Sequence, residues 1–298
     1  MLGSGFEAED AVQETLIRAW RCFSSFDERR GPLLPWLHSI ATRICLDMLR
    51  SAQRRARAMD LALPSYAGAP LGAPLPEARW VQPIPDSHVM PAGGDPGELA
   101  IARDTLRLAF VAALQHLPPR QRAVLILRDV LCWKADEVAR LLETTVASVN
   151  SALQRARATL AERNPTPVAQ PAPGDPDHEQ LIARYVDAFE RDDVEALVSL
   201  LHEEATMSMP PFRWWLRGRA EILRALVAVG LPCHGARLLR TNANGSPAFG
   251  QYRRLGGRYE PFALVVIEVS AGGITETVSY LDPARLFPLF ALPAGLSA

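Results

Sequence analysis

The stretch "TTVASVNSALQRARATL", Thr144–Leu160, decides how the middle of this chain is read. Val146, Val149, Leu153, Ala156 and Leu160 recur at spacings that alternate between three and four, so the spacing predicts a helix with one face turned inward. The open face carries Ser148, Asn150, Ser151, Gln154, Arg155 and Arg157, and the stretch holds no Asp or Glu. Such a face raises the question of what it touches. Just upstream, "KADEVARLLE" predicts a second short helix, followed by a tight turn at Glu143-Thr144. Val138, Leu141 and Leu142 would face Val149 and Leu153 across that turn, which is the pattern of a helix-turn-helix. Thr145 has the side chain of an N-cap for the second helix.

Working outward, proline marks the joints. Pro64, Pro70, Pro74, Pro76, Pro83, Pro85, Pro91 and Pro96 crowd residues 61–98, which reads as an extended linker. "NPTPVAQPAPGDPD", 164–177, is a second joint of the same character. Three blocks remain: 1–60, 99–163 and 178–298. The first is helical. "EAEDAVQETLIRAWRCF" places Val12, Leu16, Ala19 and Phe23 on one stripe, and "WLHSIATRICLDMLRSAQRRARA" follows with Trp36, Leu37, Ile40, Ile44 and Met48 as its apolar seam. Its basic end, Arg50, Arg54, Arg55 and Arg57, is read either as a solvated helix end or as a phosphate-facing patch. The third block opens with amphipathic helices and continues in apolar or alternating runs. Glycine pairs at Gly256-Gly257 and Gly272-Gly273 stand where hairpin turns would fall, and the class expected is α+β.

Composition narrows the function classes. The 298 residues are 48% hydrophobic and 22% charged, with a net charge of −1, so any contact with nucleic acid must come from local patches. Cys22, Cys45, Cys132 and Cys233 are scattered, with no CxxC or Cys/His cluster. Neither a metal site, a disulfide framework nor a cofactor is expected. No signal peptide or membrane-length apolar run is present, and the expectation is a soluble, cytoplasmic chain without membrane contact.

Two ordered motifs carry a family resemblance. "EAEDAVQETLIRAW" with "WLHSIATRICLDMLR" resembles region 2 of bacterial extracytoplasmic-function sigma factors, and "LPPRQRAVLILRDVLCWKADEVARLLETTVASVNSALQRARATL" resembles their region 4. The third block is similar to the SnoaL-like cone fold shared with polyketide cyclases and ketosteroid isomerases. The resemblance implies two all-α sigma domains followed by an α+β domain, and two macromolecular partners, core RNA polymerase and promoter DNA. It implies that Asp10, Gln13 and Glu14 dock on the polymerase. It places Trp36 and His38 on the −10 melting face, where an aromatic surface can stack an unpaired base, with Arg43, Arg50, Arg54 and Arg55 toward the DNA. It sends the Thr144–Leu160 helix to the −35 element, with its amides, hydroxyls and arginines toward base edges and phosphates.

Departures from the family pattern carry expectations of their own. A helix normally precedes "EAEDAVQE", so the first block is expected to be shortened and Val12, Leu16 and Phe23 to lack packing partners. Cys132 and Lys134 stand where Gly and a capping Ser are usual, which leaves Asp136 to serve the first helical turn.

For the third block the candidate pocket is Tyr185, Met207, Trp214, Trp215, Arg219 and Tyr252, and the candidate acid–base groups are Asp187, His202, Glu268 and Glu276. Three readings follow. The first is a promoter-recognition subunit whose third block regulates it by contact with the sigma domains, with a small ligand as a further partner. The second is an enzyme or ligand sensor fused to a DNA-binding module. The third is a stand-alone helix-turn-helix regulator, against which the long linker between the first two blocks argues. "WVQPIPD", Trp80–Asp86, is the piece of that linker expected to bind near the polymerase active site.

Overall fold

A computed structural model of the chain describes residues 1–51, 54–90, 97, 105–163, 175–229 and 234–297. Pro91, Pro96, Cys233 and most of the second joint lie outside those residues. The chain divides into two compact units, Met1–Ala56 with Leu108–Thr166, and Arg57–Arg107 with Pro167–Ala298. The proline-rich segment therefore folds with the third block.

The first unit is all helix. Helix α1 is Gly5–Arg21 and α2 is Leu33–Ser51. Ser4 caps α1 by accepting the Glu7 N–H. The face that α1 buries is Ala11, Thr15 and Ala19, so of the predicted stripe Ala19 is buried while Val12, Leu16 and Phe23 are not. Small side chains there let α2 approach closely, while Val12, Leu16, Ile17, Trp20 and Phe23 all remain exposed. After α3 (Leu108–Leu114) and α4 (Pro119–Leu125) come α5 (Ala135–Leu141) and α6 (Val146–Arg163). Val138, Leu141 and Leu142 pack with Val149, Leu153 and Ala156 in one core, as the spacing predicts. Val146, in the first turn of α6, stays outside it.

Both caps of the helix-turn-helix are visible. The Ser148 N–H donates to Thr145 Oγ1 at 3.2 Å. At the start of α5 the Glu137 carboxylate accepts the Lys134 N–H at 2.8 Å, so Glu137 rather than Asp136 serves this end. In the turn, Glu143 adopts φ +52° and the Thr144 N–H reaches the Ala139 carbonyl. That 6→1 bond closes the helix end in the left-handed geometry that usually recruits glycine.

The second unit is a mixed sheet with helices on one face. Helices α7 (Pro176–Glu190), α8 (Val194–Ser199) and α9 (Arg219–Val229) accompany strands β1 (Leu201–Ser208), β2 (Trp215–Arg217), β3 (Arg237–Ala243), β4 (Ser246–Leu255), β5 (Arg258–Ser270), β6 (Gly273–Tyr280) and β7 (Leu296–Ser297), with α10 (Pro283–Leu289) near the end. The order is β2-β1-β6-β5-β4-β3, with β7 on β5. Only the β1–β6 pair is parallel. Gly256 and Gly257, both at positive φ, make the β4–β5 turn. Gly273, at φ +114°, follows the β5–β6 turn, and a Cβ there would meet the Leu200 carbonyl oxygen at 2.6 Å.

Alternation assigns the two sheet faces. Ala263, Val265 and Ile267 of β5 join Ile182, Tyr185, Leu197 and Ile222 in the helix-covered core. The intervening Leu264, Val266 and Glu268 point the other way. Their register partners on β6 are Tyr280, Val278 and Glu276. The proline-rich segment covers this second face in short helical turns at Ala58–Leu61, Glu77–Arg79 and Asp86–Val89. Ala58, Trp80 and Trp215 form a small cluster there.

Cys132 holds φ +55° in the connection before α5. A side chain in that region costs roughly 1–2 kcal/mol that glycine avoids, less the entropy glycine loses on folding. Cys132→Gly is expected to stabilise the first unit by about 0.5–1 kcal/mol. Urea unfolding followed by circular dichroism measures it.

Candidate nucleic-acid interface and linker seat

All six predicted readers on α6, namely Ser148, Asn150, Ser151, Gln154, Arg155 and Arg157, are exposed. Burial of Val149, Leu153 and Ala156 fixes the helix rotation that presents them. Arg157 is held by Asp129 at 2.7 and 2.9 Å, and that pairing raises the guanidinium's proton affinity. The other five project to solvent, a row of donors and acceptors without a carboxylate among them.

On region 2 the predicted residues separate. Asp10 and Gln13 are exposed on α1, and Glu14 is half-buried with its carboxylate on Arg18 Nε at 2.6 Å. Trp36 stands in an aromatic cluster with Phe26, centroids 5.2 Å apart, and Phe23, 6.4 Å away. Phe23 and Phe26 were not among the predicted site residues. Phe23, read by its spacing as part of the α1 stripe, stands in the short turn just past that helix, and Phe26 follows it where no periodicity marks a facing direction. His38 lies against the Trp133 ring at 6.5 Å, and partial burial pushes its imidazole pKa down. Arg43 is 3.7 Å from Glu143, and Arg50 is 3.1 Å from Asp47. Arg54 Nη2 is 3.2 Å from His116 Nε2.

Arg55 does not reach solvent. It is 5% exposed and binds the Glu7 carboxylate at 2.6 Å, so its part is to tie the end of α2 to α1. Arg57 turns away too. It lies 3.8 Å from both Asp60 and Glu276 in the second unit.

The face of region 2 that carries the predicted −10 residues meets region 4 within the first unit. Trp133 and Glu143, both from region 4, stand on His38 and Arg43. A shallow cleft of about 650 Å³ remains between Trp36 and Trp133. The two regions are joined by Arg122, which is 3% exposed. Its guanidinium donates to the Met1 carbonyl at 2.5 Å, to Gln115 Oε1 at 2.8 Å, and to the Gln115 and Leu117 carbonyls at 3.3 and 3.2 Å. Burial pushes its pKa down to about 10.

In the second unit the six candidate pocket residues do not share one cavity. Tyr185, Met207 and Trp214 belong to the helix-covered core. Trp215 and Tyr252 lie on the opposite face, where the Tyr252 hydroxyl donates to the Pro293 carbonyl at 2.9 Å. Arg219 is exposed at the start of α9. The acid–base candidates scatter likewise. Asp187 and His202 are exposed, and Glu268 and Glu276 point away from the helices.

Those two glutamates do something else. They are direct cross-strand partners, Glu268 buried and Glu276 largely so. Arg107 binds Glu268 at 2.5 Å, Ser246 donates to it at 2.8 Å, and Arg57 faces Glu276. Burial raises the Glu276 pKa and the Arg57 charge opposes that rise. The ends of the proline-rich segment thus meet on adjacent strands. Asn244, 2% exposed in the β3–β4 turn, gathers the same segment. Its Oδ1 accepts the Ile84 N–H at 2.9 Å and its Nδ2 donates to the Leu106 carbonyl at 2.7 Å. Further bonds run from the Ser65 N–H to the Trp215 carbonyl, 2.7 Å, and from Trp215 Nε1 to the Ala62 carbonyl, 2.9 Å.

Comparisons with known proteins agree with this architecture. Family models match in chain order: sigma-70 region 2 over residues 1–55, sigma-70 region 4 over 107–160, and a SnoaL-like domain over 182–277. The chain is 43% identical over 300 residues to the ECF RNA polymerase sigma factor SigG of Mycobacterium tuberculosis, covering 99% of this chain and 80% of that protein. The chain belongs to the ECF sigma factors. It acts as an RNA polymerase sigma factor in transcription initiation. SigJ of Mycobacterium tuberculosis is 31% identical over 212 residues, 70% of this chain and 58% of that protein. The crystal structure of SigJ shares the fold, with a TM-score of 0.61 at 23% identity over 98% of this chain and 93% of that one. Among the described residues of this sigma factor, no helix is long and apolar enough to cross a membrane.

Removing the Arg122 guanidinium leaves several carbonyls unsatisfied at the join of regions 2 and 4. Arg122→Leu is expected to destabilise the first unit by about 2–4 kcal/mol, read from urea unfolding. An unchanged midpoint would mean that water replaces the guanidinium there.

Proposed function

We propose that this sigma factor is held closed in the free chain and that its third block does the holding. Region 4 reads the −35 element through Asn150, Ser151, Gln154 and Arg155, with Ser148 and Arg157 at the margin. Region 2 stacks an unpaired −10 base on the Trp36–Phe26 aromatic surface, with His38, Arg43, Arg50 and Arg54 toward the strand. Asp10, Gln13 and Glu14 face the polymerase, and the exposed apolar residues of α1 add area to that contact. The site of action is the cytoplasm, where core polymerase and promoter DNA are found.

Geometry supports the closed reading. The −10 and −35 elements are about 25 base pairs apart, which at ~3.4 Å per step is about 85 Å. Regions 2 and 4 packed on each other cannot reach both. The segment between them has ample length, since some 50 residues extend to roughly 160 Å. Seated on the sheet, its ends are tied to paired glutamates whose Cα atoms are only about 5 Å apart. Initiation therefore requires that the regions part and the segment leave its seat. The observation that carries this reading is the convergence of Arg57 and Arg107 on Glu276 and Glu268. The same pairing takes both glutamates away from any acid–base role in the helix-covered core, and the third block is read as regulatory rather than catalytic.

Run-off transcription with core polymerase tests it. Asn244→Ala and Glu268→Gln each loosen the seat by about 1–3 kcal/mol and are expected to raise initiation several-fold. Unchanged or lower initiation by folded variants would contradict the closed reading. In a binding titration, Asn150→Ala is expected to relax discrimination at one −35 position by about 1–3 kcal/mol. Arg155→Ala tests the alternatives for that side chain. Uniform weakening across sequences marks a phosphate contact, and a change at one position marks a base contact.

A further inference from the structure

One cavity of the second unit lies outside the helix-covered core. It encloses about 230 Å³ between the proline-rich segment and the far face of the sheet. That is the share of roughly eight water molecules, a fragment-sized space below the ~300–1,000 Å³ of larger ligand sites. Leu75 and Trp80 come from the segment, Pro211 from the β1–β2 connection, Tyr280 from the end of β6 and Leu286 from α10. The frame is fastened by backbone hydrogen bonds. The Leu75 N–H donates to the Pro211 carbonyl at 2.8 Å, and the Leu281 N–H to the Pro210 carbonyl at 2.9 Å. The walls are therefore in place before any guest arrives, which lowers the cost of ordering on binding.

The charge on the lining has one sign. Glu77 and Asp282 contribute carboxylates, and among the described residues no cationic side chain lines the cavity. Arg285 and Gln82 already engage Glu77. Asp282 precedes α10, and its carboxylate caps no backbone N–H of that helix. Asp282 thus lines the cavity together with two aromatic residues, Trp80 and Tyr280.

We propose that this cavity binds a small organic ammonium ion with an apolar body. The Trp80 and Tyr280 rings and the Asp282 carboxylate receive the cation. Leu75, Pro211 and Leu286 receive the body. Because the segment forms one wall, a guest binds only its seated form and stabilises that form. Binding is a property of the free chain, so it stands or falls separately from any release during initiation.

The test is isothermal titration of the full chain with 2-phenylethylammonium and with its neutral analogue, 2-phenylethanol. The ammonium ion is expected to bind with Kd on the order of 1 mM and about tenfold tighter than the alcohol. Asp282→Asn removes the charge at nearly unchanged size and is expected to abolish that preference. Leu75→Trp, at a half-buried position on the segment wall, is expected to weaken both guests by narrowing the cavity. Absence of binding by either guest, or equal affinities for the two, would overturn the proposal. So would an ammonium preference that survives in Asp282→Asn, or affinities that are unchanged in Leu75→Trp.

Discussion

Two glutamates side by side in the middle of a sheet set the terms for the rest of the second unit. Glu268 and Glu276 face each other across β5 and β6, and both are shielded from water. Like charges directly opposite repel, and burial strips both of hydration. A sheet with this pair cannot leave that face bare or cover it with apolar side chains alone. Arg57 and Arg107 meet the requirement, and they are the first and last residues of the stretch that folds with this unit ahead of the second joint. The carboxylate pair therefore ties the chain connecting the two sigma regions to the domain that follows them.

Much of the molecule was legible in the residues, because its helices are short and strongly periodic. The helix-turn-helix followed from Val138, Leu141, Val149 and Leu153, and all of these pack in one core. The Thr145 cap and the turn at Glu143-Thr144 were legible for the same reason, since capping chemistry is local. Sequence spacing failed on α1. Ala11 and Thr15 each stand one residue before Val12 and Leu16 with the same spacing, and the larger residues drew the assignment. Close helix approach favoured the smaller ones.

The third block was harder because its contacts are long-range. The Asn244-Gly245 pair is a strong local turn signal, yet nothing near it announces that Asn244 holds Ile84 and Leu106. Period-two alternation left Glu268 and Glu276 equally suited to either face, and only their register partners and arginines decide the matter. The prolines of residues 61–98 excluded a long helix or a central strand, and the described residues of that segment contain neither. What they could not convey is that backbone amides at Ser65, Leu75 and Ile84 find acceptors on another block. Arg55 and Arg57 looked alike in the basic run and part company in space, one tied to Glu7 and the other to Asp60 and Glu276.

In the proposed closed form, packing of regions 2 and 4 on each other and seating of the segment are two separate restraints on one transition, and on that proposal both yield before promoter DNA is spanned. Hydrogen exchange of the segment amides reports the second restraint directly, in the full chain alone and in its initiating complex with core polymerase and promoter DNA. Protection of the Ser65, Leu75 and Ile84 amides in the free chain, lost in the complex, is the predicted result. Equal protection of those amides in a complex that initiates transcription would contradict it, because the segment would then remain on the sheet while the two regions hold their promoter elements.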